Sequence, residues 1–199
     1  MTTLRRTSSV LAIVLLAGAG VSACSSDDEG KSSSSDGFFA SSLEQLPDSA
    51  RADDGGVMVY AADYDRATEI AGVERPPDGS TDDDEVADWL SALDGRSDDA
   101  DEVVSALPPV SAGNSLLSDP AGYRDEVGWY ITDVHSYVES QQLPDVFVVL
   151  TGSFDTDDLE ASLGEADDGI WSIGGDDFSV EVADATPARP LGQSLRLRG

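Results

Sequence analysis

The chain has 199 residues, and its 40 Asp and Glu residues against 11 Lys and Arg residues give a formal net charge of −29. That charge excludes a nucleic-acid-binding function, because too few cations are present to neutralise phosphates. The 40% share of hydrophobic residues excludes wholesale disorder, and the length suits one folded domain.

Residues 1–23 have the layout of a secretory signal peptide. Arg5 and Arg6 precede an uninterrupted apolar stretch over residues 10–21. The 14 residues from position 10 to position 23 would rise only ~21 Å as a helix, against a hydrocarbon core of ~30 Å. The segment is therefore predicted to direct export and not to remain as a transmembrane helix.

The predicted signal peptide ends in Val21, Ser22 and Ala23, and Cys24 follows it. This order resembles the bacterial lipobox, in which the cysteine thiol receives diacylglycerol and a dedicated peptidase cuts before it. The resemblance implies that Val21, Ser22 and Ala23 are recognised by the signal peptidase and that Cys24 is lipidated. A cysteine that follows an export signal by chance is the alternative. Cys24 is the only cysteine, so no intramolecular disulfide can form.

Residues 24–40 are predicted to be the lipidated cysteine and a flexible tether, because residues 25–37 hold Ser, Asp and Gly but no apolar side chain. Residues 41–199 are predicted to form a single globular domain. In its signal peptide, lipobox and tether the chain resembles the small actinobacterial lipoproteins of unassigned function. That resemblance implies a lipid anchor in the cell membrane and a position on its extracytoplasmic face, and it brings no catalytic residues.

The first half of the predicted domain indicates short elements. A β-branched run over residues 56–60 predicts a strand, and Asp65 is predicted to cap a helix over residues 66–71 that ends at Gly72. An amphipathic helix is predicted farther on, from an apolar stripe at helical spacing: Val86, Trp89, Leu90 and Leu93.

The second half is predicted to be rich in strands. Residues 146–150 indicate a buried strand, with residues 129–138 as its partner, and Asp155 is predicted to cap a helix over residues 156–163. Three stretches alternate with period two near the end of the chain: 170–173, 178–182 and 194–198. Short helices with late strands predict an α+β fold, with an antiparallel-rich sheet and a strand-rich C-terminal third.

Catalytic motifs are absent from the sequence, which has no Gly-x-Ser-x-Gly, His-Glu-x-x-His or Gly-x-Gly-x-x-Gly pattern. A serine triad would need His135, the only histidine, and Asp133 would lie on the same strand face as its partner. Because no nucleophile elbow accompanies them, His135 is predicted to be a locally bonded strand residue. No catalytic residue, metal ligand or cofactor is predicted.

Two functions of different classes remain open. The leading hypothesis is a membrane-anchored, non-enzymatic domain outside the cytoplasm that binds a protein partner or a small ligand in the cell envelope. The alternative is a cell-envelope hydrolase that uses paired carboxylates in a cleft lined by aromatic residues. The large aromatics are predicted to form the core instead: Trp89, Trp129, Tyr130 and Trp171.

Overall fold

The computed structural model of the chain describes residues 11–17, 35–50, 56–95, 104–110, 115–142, 145–173, 186–188 and 195–198. The lipobox residues Val21, Ser22 and Ala23, the lipidation site Cys24 and the strand predicted over residues 178–182 lie outside these ranges. Within these ranges no helix is both long enough and apolar enough to cross a membrane.

The strands of the described residues pair into one sheet. They are β1 (Leu11–Ala17), β2 (Met58–Asp63), β3 (Val134–Gln142), β4 (Asp145–Gly152), β5 (Ile170–Ile173) and β6 (Leu195–Arg198). Their order across the sheet is β2-β3-β4-β1-β6-β5. The pairs β2/β3, β3/β4 and β5/β6 are antiparallel, whereas β1 is parallel to β4 and β6. The α+β prediction is confirmed, and β3 to β6 all lie in the last third of the chain.

Strand β1 lies inside the predicted signal peptide. Cleavage before Cys24 would remove β1 and leave two antiparallel units, β2-β3-β4 and β5-β6. Each unit keeps its own ladder, because β1 pairs only with one side of β4 and one side of β6. Signal-peptide cleavage stays a prediction.

Six helices pack around the sheet in the described part of the chain. They are α1 (Ser35–Gln45), α2 (Tyr64–Ala71), α3 (Asp83–Leu93), α4 (Ser115–Ser118), α5 (Pro120–Val127) and α6 (Thr156–Leu163). Helix α1 begins inside the predicted tether over residues 24–40, so regular structure starts before the predicted domain boundary at residue 41. A 3-10 turn at Ile131–Asp133 interrupts the predicted partner strand, which begins only at Val134.

The start of α2 differs from the prediction. Asp63, and not Asp65, caps this helix: its backbone is extended, and its carboxylate accepts the N–H of Arg66 at 2.9 Å. The strand β2 continues to residue 63, farther than predicted, and the helix begins directly after it. Asp65 therefore lies in the first helical turn, and its side chain does not cap the helix. Gly72 ends the helix in the left-handed conformation, as predicted.

Helices α3 and α6 follow their sequence patterns. Asp82 caps α3 by accepting the N–H groups of Asp84 and Glu85, and the predicted apolar stripe on this helix is buried. Asp155 caps α6 by accepting the N–H of Asp157 at 2.8 Å, as predicted. The sequence also predicts a helical turn over residues 98–106, of which the structure describes residues 104–106, and these contain no helix.

The core lies on both faces of the sheet. On the helix side it contains the four large aromatic residues that the sequence predicts to be core: Trp89, Trp129, Tyr130 and Trp171. On the opposite face, Leu46 covers Val138 and Val149. Each such buried side chain contributes roughly 1.5–3 kcal/mol through apolar burial. The aromatic core is thus confirmed, and it fixes the end of the sheet where β3 begins.

Candidate functional site

Three polar side chains meet at one end of the sheet. Antiparallel pairing brings the end of β2, the start of β3 and the end of β4 to this edge. Asp65 follows β2, His135 is the second residue of β3, and Ser153 follows β4. We call these three residues the polar trio.

The imidazole of His135 bridges the other two side chains. Its Nδ1 lies 3.2 Å from Oδ2 of Asp65, and its Nε2 lies 3.1 Å from Oγ of Ser153. With the ring proton on Nδ1, the imidazole donates to Asp65 and accepts the hydroxyl proton of Ser153. The trio is accessible, since the side chains of His135 and Asp65 are 40% and 54% exposed and Ser153 is exposed.

A bulge and a glycine bring His135 and Ser153 together. The β3/β4 register shifts between Val134 and Ser136, which makes His135 the extra residue and redirects its side chain. A Cβ on Gly152 would lie 1.9 Å from the carbonyl oxygen of Asp133, so only glycine permits this approach. The N–H of Ser153 donates to the same carbonyl at 2.8 Å and holds the residue in place.

Arg75 holds Asp65 beside the imidazole. Its Nη1 donates to Oδ1 of Asp65, and its Nη2 donates to the carbonyl oxygens of Thr132 and Val134 at 2.9 and 2.8 Å. The guanidinium also lies over the ring of Trp89, 5.2 Å from its centre. Arg75 therefore links α3, α2 and the start of β3 through one rigid group.

Asp133 does not contact His135 in the way that the sequence pattern suggests. It precedes β3, in the 3-10 turn, so the alternation of a strand does not apply to it. Its carboxylate is buried, accepts the N–H of Tyr130 at 2.8 Å and pairs with Arg124 at 2.9 Å. Burial raises the pKa of Asp133 above its ordinary value, and the N–H of Tyr130 and the Arg124 guanidinium only partly oppose this. Its role is structural.

An apolar groove of about 180 Å³ runs beside α3. We call it the tyrosine groove, and its walls include Val86, Leu90, Leu107, Leu117 and Tyr130. Leu107 and Leu117 are about half exposed, at 52% and 48%. Apolar side chains with this exposure on the rim of a concavity are typical of a binding site.

Tyr130 lines this groove, and its hydroxyl is buried with no hydrogen-bond partner among the described residues. A buried hydroxyl without a partner costs free energy, so such a group on a residue that lines a concavity indicates a nearby ligand or water. Burial, and next the charge of Asp83, raise the pKa of Tyr130 to about 12. The hydroxyl therefore stays protonated at neutral pH and can donate a hydrogen bond.

Two other tyrosines hold the wall of the tyrosine groove. The hydroxyls of Tyr64 and Tyr137 both donate to the carbonyl oxygen of Leu107, at 3.0 and 2.9 Å. Burial raises the pKa of both tyrosines, so both remain donors at neutral pH. The position of Leu107 on the groove thus depends on a pair of hydrogen bonds from α2 and β3.

A second, more polar groove of about 650 Å³ lies on the other side of α3. We call it the arginine groove, and its lining includes Arg75, Pro76, Glu85, Asp88 and Trp89. It places two carboxylates one turn apart on α3, beside a tryptophan. Among the described residues, no group of three or more His, Cys, Asp or Glu side chains is placed to hold a metal ion.

The sequence singles out His135, although only as a locally bonded strand residue, and it indicates neither of its two partners. The sequence predicts a helix cap at Asp65 and a turn over residues 151–153, which includes Ser153. The signal that could have found them is the order of chain segments, because residues just after β2 and β4 and at the start of β3 share one edge of an antiparallel sheet. The sequence predicts Tyr130 only as a core residue, and this interpretation gives its hydroxyl no role in binding.

Comparisons with known proteins identify no relative. No family model matches the chain, and neither a curated protein nor a solved structure matches it.

Proposed function

We propose that the protein is a lipoprotein, anchored through Cys24 on the extracytoplasmic face of the cell membrane, whose folded domain binds a small ligand in the tyrosine groove. The ligand class is a largely apolar molecule, neutral or cationic, with a hydrogen-bond acceptor. The observation that carries this proposal is Tyr130, which lines an apolar groove and whose buried hydroxyl lacks a partner among the described residues.

The anchor is supported by the lipobox pattern at Val21 to Cys24 and by the charge of the chain. Cleavage before Cys24 removes Arg5 and Arg6 and no acidic residue, so 9 basic and 40 acidic residues leave a net charge of −31. Anionic headgroups repel such a body, so membrane attachment must come from acyl chains. Each buried methylene contributes about 0.8 kcal/mol, and two or more chains give stable attachment. The folded domain itself needs no membrane-binding surface.

The ligand class follows from the shape and charge of the tyrosine groove. Its volume of about 180 Å³ is smaller than the roughly 300–1,000 Å³ of sites for drug-sized molecules, so it fits one ring or a short chain. Among the described residues of its lining the charged ones are Asp83 and Asp94, and the carboxylate of Asp83 disfavours anionic ligands. The Tyr130 hydroxyl supplies one donor to an oxygen acceptor.

The anchor is tested by Cys24→Ala, with Ser25→Ala as the matched control. The alanine at position 24 removes the acylated thiol, so the protein should leave the detergent phase in a Triton X-114 partition, while the position 25 variant should stay in it. If the Cys24→Ala protein still partitions into detergent after its signal peptide has been cleaved, the anchor assignment is wrong.

The tyrosine groove is tested with acetophenone, a neutral ketone with one ring, by isothermal titration of the full chain. Tyr130→Phe should weaken binding by about tenfold through loss of one hydrogen bond. Leu117→Asp should abolish it, whereas Phe39→Asp, at a comparably exposed site outside the groove lining, should leave it unchanged. Equal affinity in the variants at positions 117 and 39 would contradict the proposal.

The arginine groove favours a second candidate function, a cell-envelope hydrolase that uses paired carboxylates. Glu85 and Asp88 lie beside Trp89 in that groove. If they act as acid and base, the full chain should release reducing sugars from purified cell-wall glycan. The double variant Glu85→Gln, Asp88→Asn should lose that activity, and Glu160→Gln should retain it. Absence of release by the unaltered chain would exclude this candidate.

A further inference from the structure

The polar trio has the connectivity of a nucleophilic site. Ser153 presents its hydroxyl to Nε2 of His135, and Nδ1 of the same ring faces the carboxylate of Asp65. A hydroxyl, an imidazole and a carboxylate linked in this order activate the hydroxyl as a nucleophile in hydrolases of unrelated folds. We propose that the trio hydrolyses small carboxylic esters, with Ser153 as nucleophile, His135 as general base and Asp65 as positioning residue.

The supporting contacts fix each member independently of the others. The backbone N–H of Ser153 is bound to the carbonyl of Asp133, and Gly152 permits that approach. His135 is redirected by the bulge in β3. Asp65 is held by Arg75, whose side chain is only 16% exposed and is tied to two backbone carbonyls. Such support keeps the trio in place without a substrate.

The reaction proceeds in two balanced steps. Oγ of Ser153 attacks the ester carbonyl carbon, and its proton passes to Nε2 of His135. The carbon–oxygen bond to the alcohol then breaks, and the departing oxygen takes the proton from Nε2, which leaves an acyl group on Ser153. Water repeats the sequence, gives its proton to Nε2 and releases the carboxylic acid, so that Oγ regains the proton.

The surroundings limit both the rate and the substrate class. The N–H of Ser153 already donates to Asp133, so it is not available to stabilise the oxyanion that forms on the ester oxygen. We therefore expect a rate about 100-fold above that of a variant without the hydroxyl, as general base catalysis alone provides. Asp65 and the Asp155 cap of α6 lie near Ser153, so neutral or cationic esters should react faster than anionic ones.

The test uses the full chain in detergent with two probes, p-nitrophenyl acetate for turnover and a biotinylated fluorophosphonate for covalent labelling. Mass spectrometry should locate the label on Ser153. Ser153→Ala should abolish labelling, and His135→Gln should slow both reactions by about 100-fold. Ser136→Ala, which alters a serine next to His135 but outside the trio, should change neither. The anionic ester p-nitrophenyl succinate should react more slowly than the acetate.

Asp65 is tested as a positioning residue by two substitutions. Asp65→Asn should slow labelling by at least about tenfold with no change in Tm beyond a few degrees, and Asp65→Glu should restore part of the rate. The proposal is overturned if label spreads over several serines, or if Ser153→Ala hydrolyses the acetate as fast as the unaltered chain. It is also overturned if His135→Gln lowers Tm but leaves Ser153 as reactive as before, because the trio would then only fasten α2 to the sheet.

Discussion

At the end of the sheet that holds the polar trio, single residues connect several elements because each has several partners. Arg75 donates to a carboxylate and two carbonyl oxygens and lies over the ring of Trp89. Arg66, nine residues earlier, makes one exposed pair with Glu69 on the same helix. The two arginines have the same chemistry, and their different burial decides their different importance.

We expect Arg75→Met to lower the free energy of unfolding by about 2–4 kcal/mol, because it leaves two carbonyl oxygens without a charged donor. Arg66→Met should change it by less than about 0.5 kcal/mol, since exposed ion pairs contribute little. Urea unfolding followed by circular dichroism measures both values. Equal effects of the two variants would show that the contacts of Arg75 do not stabilise the fold.

The burial of Asp133 predicts in which direction the stability of the fold changes with pH. Because burial raises its pKa above the ordinary 3.8, the folded chain binds this proton at pH values where the unfolded chain has released it. Stability linked to Asp133 is therefore fully present below 3.8 and is lost as the pH rises through the raised pKa.

In Asp133→Asn the site cannot titrate, so the Tm of the unaltered chain minus that of the variant should decrease as the pH is raised from below 3.8 through the raised pKa of Asp133. Asp158→Asn, which removes the exposed partner of the same Arg124, is the control for the loss of a carboxylate from that arginine. Thermal unfolding at fixed ionic strength measures the difference. An increase with pH would mean that Arg124 outweighs burial.

At the scale of elements, local patterns predicted most of the secondary structure. The cap at Asp155 and the stripe on α3 depend on neighbours within one or two turns, which the sequence displays directly. The cap of α2 was misplaced because Asp63 and Asp65 both fit the local pattern, and only the length of β2 decides between them. The trio could not be found locally, since its members meet through strand pairing between distant segments.

The pair of hydrogen bonds from Tyr64 and Tyr137 to the carbonyl of Leu107 should be non-additive. Either single substitution to Phe leaves one donor and should cost about 1 kcal/mol, whereas the double variant leaves the carbonyl with neither and should cost about 1 kcal/mol more than the sum. A double-mutant cycle by urea unfolding measures the coupling. Strict additivity would mean that water replaces the tyrosines, and acetophenone binding should then be unaffected.

At the scale of the molecule, β1 and the predicted signal peptide occupy the same residues. The fold uses these residues as a strand, whereas export would remove them. If residues 1–23 are removed on export, the chain from Cys24 onward must fold without β1. We expect a protein of residues 24–199 to show a cooperative thermal transition, because β2-β3-β4 and β5-β6 pair without β1. An unfolded circular dichroism spectrum would contradict the signal-peptide prediction and show that β1 belongs to the functional fold.

The excess of 40 acidic over 11 basic residues makes the whole molecule sensitive to salt. Arg66, Arg75 and Arg124 each pair with a carboxylate, yet pairing cannot neutralise a chain whose acids outnumber its cations by 29. Repulsion between the remaining carboxylates extends over ~30 Å at 0.01 M salt and only ~3 Å at 1 M, and the unfolded chain relieves it by expanding.

The Tm of the full chain should therefore rise by several degrees between about 0.01 M and about 1 M sodium chloride, as screening removes a repulsion that acts mainly on the folded state. Choline chloride at the same ionic strengths is the control, because its bulky cation screens charge without occupying small carboxylate sites. A similar rise in both salts supports screening. A rise confined to sodium would indicate cation binding between specific carboxylates, and a flat or falling Tm would contradict the expectation that charge repulsion limits the stability of this fold.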